Sequence, residues 1–174
     1  LGSVSSAVVS HAHCPVVVVR EDNAVNETNK YGPVVVGVDG SDVSRKATEV
    51  AFEEAQARGA ELHAIHTWVD TQIQGPGGGY SVADDHWTAV QQEKQQLLDD
   101  YLGDLQQSFP DVTVKTSITR DRPVRALTSA AEGAQLLITG SHGRGGFKGM
   151  LLGSTSRALL QSAPCPMMVV RPQD

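Results

Sequence analysis

Between Pro33 and Arg171 short apolar runs alternate with stretches of helical periodicity, and that alternation leaves few folds open. Pro33 to Val38 is β-branched, too short for a helix and apolar at successive positions, which predicts a parallel strand buried on both faces. From about Ser44 to Arg58, Ala47, Val50, Ala51 and Ala55 recur at helical spacing, and Gly59 stops the run. Leu62, Ala64 and Ile65 mark a second strand ending near Trp68. Residues 70–83 contain Gly75-Pro76-Gly77-Gly78-Gly79, which fits no periodic pattern and reads as a flexible loop. Val90, Leu97, Leu98, Tyr101, Leu102 and Leu105 then share one face of a long helix from about Asp85 to Ser108. A third strand alternates through Val112, Val114, Thr116 and Ile118, Pro123 opens a helix carrying Val124, Leu127 and Ala131, and Gly133 closes it. Gln135 to Thr139, Gly153 to Gln161 and Met167 to Arg171 complete the series as strand, helix and strand. Such an order demands parallel strands with right-handed crossovers, hence an α/β fold: an open, doubly wound, Rossmann-like sheet of five parallel strands with helices on both faces.

The stretch from Gly140 to Ser156 follows a buried-strand pattern and is rich in glycine, so it reads as a phosphate cradle. Glycines that tolerate positive φ let backbone N–H groups turn toward an anion, and Ser154, Thr155 and Ser156 offer hydroxyls at a helix start. A ligand-free glycine-rich turn between strand and helix is the alternative. Neither common phosphate signature fits: a dinucleotide fingerprint from Gly143 would need glycine at Lys148, and a Walker A loop ending at Lys148 would need glycine at Phe147. What does fit is Gly140-x-x-Gly143, nine residues, then Gly153-Ser154. In that spacing the chain resembles the ATP-binding branch of the universal stress protein family, over essentially all of residues 33–171.

Composition narrows the partners. The 174 residues carry a formal net charge of −6, which argues against a general nucleic-acid or membrane-surface binder. No stretch approaches the roughly 18 apolar residues of a membrane span, and the expected location is cytoplasmic. Cys14 and Cys165 each precede a proline and read as buried, reduced thiols at strand starts. The histidines assemble no metal site: His63 and His66, three apart on a strand, point to opposite faces, and no cysteine pair has zinc spacing.

Residues 1–20 align without gaps on residues 152–171, with eleven identities that include Leu1/Leu152, Gly2/Gly153, Ser3/Ser154, Cys14/Cys165, Pro15/Pro166 and Arg20/Arg171. Residues 1–20 therefore read as the helix-strand tail of a preceding repeat, 21–32 as a polar linker and 33–174 as a whole second repeat. In the resembled family the last strands of two domains pair antiparallel, which implies that Val16–Val19 lies against Met167–Val170 and that Cys14 and Cys165 form no disulfide with each other.

The same resemblance implies the strand order 3-2-1-4-5, which brings Asp39-Gly40-Ser41 and Gly140–Gly143 to one crevice where the winding reverses. It further implies that Gly37, Val38, Asp39 and Ser41 contact adenine and ribose and that Thr67, after His66, lines the adenine. Phosphate and ribose contacts fall to Gly140, Ser141, His142, Gly143, Arg144, Gly153, Ser154, Thr155 and Ser156. Asp39 and Ser41 could each instead cap the following helix. Arg144 and Lys148 add positive charge, with Lys148 kept outside the site, and nothing nearby in sequence orients His142 as a general base. The expected cofactor is ATP, with or without Mg, and the expected partners are an adenine nucleotide, a self-association through the last strand and a regulatory protein. The function implied is nucleotide-switched regulation in stress response or growth control. A slow ATPase or self-phosphorylating enzyme and a nucleotide-free interaction domain are the alternatives.

Overall fold

A computed structural model describes residues 1–24, 29–68, 84–143 and 151–172, with the backbone alone for 84–90. The glycine run at 75–79, Arg144 and Lys148 lie outside the described residues. The elements are α1 (Ser3–His11), β1 (Val16–Val18), β2 (Val34–Val38), α2 (Asp42–Arg58), β3 (Leu62–Thr67), α3 (Asp84–Ser108), β4 (Val114–Thr119), α4 (Pro123–Ala130), β5 (Leu136–Gly140), α5 (Ser154–Ser162) and β6 (Met167–Val170). A short 3-10 turn, Glu21–Asn23, follows β1.

The sheet runs β1-β6-β5-β2-β3-β4, which corrects the expected five parallel strands to a six-stranded mixed sheet. Within it β4-β3-β2-β5-β6 are all parallel and stand in the expected succession. The sixth strand is β1, antiparallel to β6 with Val16 opposite Val169, Val17 opposite Met168 and Val18 opposite Met167, all within one chain. Covering an edge strand in this way removes a row of unpaired backbone groups.

Both faces of the sheet are apolar, as the unbroken Val34–Val38 run requires. Val34, Val36 and Val38 pack with Phe52 of α2 and with Leu98 and Leu102 of α3, where Phe52 stacks on Phe109 with ring centroids 5.5 Å apart. Val35, Ile65 and Leu137 face the other way, toward Leu127 of α4 and Leu159 and Leu160 of α5. Helix α2 begins two residues earlier than expected because Ser41 caps it, its hydroxyl accepting from Ser44 N at 3.2 Å. Gly59 ends α2 at φ +59°, and Gly133 turns the chain after α4 at φ +74°, both as the sequence predicts.

The end of the tail and the start of the segment read as a linker are docked against the end of α5. Arg20 donates from Nη1 to Leu160 O at 3.0 Å and from Nη2 to Ala163 O at 2.7 Å, so a cation meets the open carbonyls at the end of α5. Asn23 is buried and donates to Cys165 O at 2.8 Å. Ala163 O also accepts from Asn23 Nδ2 at 3.3 Å, and hydrogen bonds from a charged donor are worth about 2 kcal/mol, so Arg20→Ala is expected to lower unfolding stability by about that much in a urea titration.

The expectation of two buried thiols holds for one of them. Cys165 is buried, whereas Cys14 is exposed because α1 and β1 lie at the margin of the sheet with no further layer over them among the described residues. Burial pushes the Cys165 thiol up to about 11, so it stays protonated near neutral pH. An aromatic disulfide reagent at pH 8 is expected to titrate one thiol in the folded protein and two after denaturation.

Candidate functional site

The winding reverses between β2 and β5. Helices α2 and α3 cover one face of the sheet, α4 and α5 the other, and a cleft opens at the carboxyl ends of the two central strands. Gly37 lies on its floor, where a β-carbon would come within 3.0 Å of Leu127 Cδ1, so the missing side chain lets Leu127 pack close to β2 while Gly37, Ile65 and Leu127 all line the cleft. Val38 and Asp39 continue one wall, Thr67 stands at the end of β3, and Pro123 closes the cleft from α4.

Asp39 is held by the turn that follows it. Its Oδ1 accepts from Ser41 N at 2.9 Å and from Ser41 Oγ at 2.7 Å, and its own N–H donates to Ser44 Oγ at 3.1 Å. Ser41 therefore both caps α2 and clamps the carboxylate, and it does not line the cleft with Asp39. The capping alternative belongs to Ser41, and Asp39 is the one of the two that lines the cleft.

Across the cleft, Gly140, His142, Gly143, Thr155 and Ser156 line the opposite wall. Backbone bonds brace this loop: Ser141 N donates to Val170 O at 2.7 Å and Gly153 N to Ser141 O at 2.7 Å. Ser156 Oγ donates to Gly140 O at 2.7 Å and ties the end of β5 to the first turn of α5. Ser141 is buried with its hydroxyl 3.0 Å from His142 Nδ1, so Ser141 and Gly153 support the loop without lining the cleft. Ser154 is exposed on the side of α5 that carries Arg157 and Gln161, away from the cleft. Arg144 lies outside the described residues.

The glycines serve a different purpose from the one predicted. Among the described residues only Gly40, Gly59 and Gly133 have positive φ. A β-carbon on Gly140 would lie 2.9 Å from Val43 Cγ1, one on Gly153 3.2 Å from His142 Cα, and one on Gly143 would overlap Asp39 Oδ2. Close approach, not left-handed backbone, demands glycine at these three positions.

His66 turns away from the cleft, as alternation along β3 dictates. Its Nδ1 lies 2.7 Å from Val38 O, and since a carbonyl only accepts, that nitrogen carries the proton. Ser44, Ile65, Pro123, Leu127 and Thr139 line the cleft without having been singled out from the sequence. Parity could have found two of them: Ile65 and Thr139 share the sheet face of Gly37. Among the described residues no cluster of three or more His, Cys, Asp or Glu could hold a metal ion, and no helix is long and apolar enough to cross a membrane.

Fold and cleft together define a doubly wound α/β domain of the Rossmann-like class, with a glycine-lined crevice at its switch point. The chain belongs to the universal stress protein family, whose family model matches residues 30–171. A universal stress protein of Mycobacterium tuberculosis strain H37Rv is 48% identical over 172 residues, covering 98% of this chain and 56% of the relative. The chain thus spans about half the length of the curated relatives it matches. Among solved structures, a universal stress protein from Archaeoglobus fulgidus superposes with a TM-score of 0.65 at 27% identity, over 100% of this chain and 55% of that one. A universal stress protein solved in complex with cAMP superposes with a TM-score of 0.57 at 25% identity, over 80% of this chain and 96% of that one.

Proposed function

We propose that this chain is an adenine-nucleotide-binding regulatory domain. The observation that carries the reading is the meeting of Asp39 and the Gly140–Gly143 loop in one cleft, from turns about a hundred residues apart in sequence. The similar protein solved with cAMP supports an adenine nucleotide as the ligand class. In this reading the apolar part of the cleft beside Gly37 takes the base, and the Asp39 carboxylate accepts from ribose hydroxyls. Thr155 and the amino-terminal turn of α5 meet the phosphates. ATP is the form proposed, and Mg, if bound, would be held chiefly by the phosphates, since Asp39 is the sole carboxylate among the described residues lining the cleft. The nucleotide acts as a conformational or partner switch in a cytoplasmic stress or growth response, and the cleft residues bind and orient it without carrying out a reaction.

Binding to the folded state alone adds about 2.7 kcal/mol at a ligand concentration 100 times Kd. For a domain of this size that raises the unfolding temperature by roughly 5–10 °C. Mass spectrometry of the purified, denatured protein and thermal unfolding with millimolar ATP test the reading together. Absence of both a co-purified adenine nucleotide and a thermal shift sinks it.

We also propose that residues 1–20 are the end of a preceding repeat, joined by 21–32 to the domain at 33–174. The repeat offset maps Val17 onto Met168, and these two residues face each other at the centre of the β1–β6 pair. The pairing has the symmetry of an isologous two-fold contact, as two copies of one domain would make it. Val8 and Val17 are 50% and 46% exposed, while their counterparts Leu159 and Met168 are 0% and 6% exposed. A chimera with residues 33–151 placed before Leu1 would complete the first repeat. It is expected to slow amide exchange across residues 16–19, and unchanged exchange there refutes the repeat assignment.

A further inference from the structure

One polar group in the cleft has no partner among the described residues. Thr139, the penultimate residue of β5, is 5% exposed, and its Oγ1 is shut off from solvent with no hydrogen-bond partner. A hydroxyl in that condition forfeits the hydrogen bonds that it makes to water in the unfolded chain. Thr119 and Thr128 also carry buried hydroxyls without partners, but neither lines the cleft, whereas Thr139 does.

The sheet register places Thr139. Val36 pairs with Ile138, so one step further Thr139 stands beside Gly37, on the face that carries Val35 and Leu137. Gly37 has no side chain of its own there, Val169 of β6 pairs with Thr139 on the other side, and Ile65 and Leu127 line the cleft beside them. The braced loop with its phosphate-facing groups begins only beyond Thr139, at Gly140. A charged phosphate placed over Thr139 would enter this apolar part of the cleft and lose its hydration. A sugar hydroxyl or a ring nitrogen can bring a polar atom there uncharged.

We infer that Thr139 Oγ1 is a hydrogen-bonding contact to the nucleoside part of the bound ligand. The inference rests on the nucleotide reading of the cleft and adds to it a residue that the glycine motif does not contain. Because the hydroxyl is unpaired in the ligand-free fold, its loss should weaken binding and leave the empty protein no less stable. A structural hydroxyl would behave in the opposite way.

The test titrates wild type, Thr139→Val and Thr139→Ser with ATP and, separately, with adenosine, and follows thermal unfolding of each protein without ligand. Thr139→Val is expected to lose about five- to tenfold in affinity for both compounds, the magnitude of one hydrogen bond, with an unfolding temperature equal to or above wild type. Thr139→Ser is expected to bind within about twofold of wild type, since it keeps the hydroxyl. Equal affinity in Thr139→Val, a loss confined to ATP, or a less stable ligand-free Thr139→Val each overturns the inference. A wild type that binds neither compound is a different failure, because it removes the nucleotide reading itself.

Discussion

Gly143→Ala is expected to lower the affinity for ATP about thirtyfold, a cost of about 2 kcal/mol to be read by calorimetric titration, while the protein stays folded. The cause is space alone. Gly143 has no left-handed backbone, so alanine could adopt its φ without strain, but the added methyl would overlap the Oδ2 of Asp39. That carboxylate cannot swing aside cheaply, because Ser41 holds its other oxygen through two donors at 2.9 and 2.7 Å. Either the clamp breaks and Asp39 leaves its place, or the loop at Gly143 retreats from the cleft. Both outcomes separate the two groups that the proposed ligand must touch together. Thermal unfolding provides an independent check through a double-mutant cycle. In an Asp39→Ala background Gly143→Ala should have almost no further effect on stability, and additive losses would show that the clash is not the cause.

That prediction could not have been made from the motif. The spacing Gly140-x-x-Gly143 marks where glycines stand, and from sequence their use was expected to be positive φ. The reasons at Gly140 and Gly143 are instead Val43 and Asp39, which reach them from the β2–α2 segment through space. The same holds for hydroxyls. Ser41, Ser154, Thr155 and Ser156 look alike along the chain, yet Ser41 clamps Asp39, Ser156 ties down Gly140 O, Ser154 is exposed on the outer side of α5, and only Thr155 and Ser156 line the cleft. What was legible followed from short-range physics: the β2 run buried on both faces, the glycine stops at Gly59 and Gly133, and Pro123 at the start of α4. The strand order that the family resemblance implies then carried Asp39 and the Gly140 loop to one crevice. Docking of the tail as a strand pair was legible only from the repeat and the family resemblance taken together. The Arg20 clamp on the end of α5 was not, because it depends on carbonyls 140 and 143 residues away.

Gly32, read from the sequence as the last residue of a polar linker, provides the sharpest test of how the opposite end of the sheet is built. Its N–H donates to Asn29 O at 2.9 Å, and its carbonyl accepts from Gln135 Nε2 at 2.8 Å, so the turn before β2 is fastened to the residue before β5. A β-carbon on Gly32 would overlap the carbonyl oxygen of Gly133 and lie 3.1 Å from Ala134 Cα. Both obstacles are backbone, and no rotamer change can relieve them. Relief requires the amino-terminal ends of β2 and β5, the two central strands, to move apart where Gln135 N donates to Pro33 O at 3.1 Å. Gly32→Ala is therefore expected to cost about 3 kcal/mol, or roughly 6–12 °C in unfolding temperature for a domain of this size. Gly133→Ala makes the comparison decisive. Its φ is +74° with open space around the site, so alanine there meets only backbone strain, expected at about 1 kcal/mol. The order Gly32→Ala worse than Gly133→Ala follows from contact rather than conformation, and the reverse order would show that the two turns do not touch. Since both positions lie at the end of the sheet opposite the cleft, ATP affinity measured well below the unfolding temperature should be unchanged in either variant.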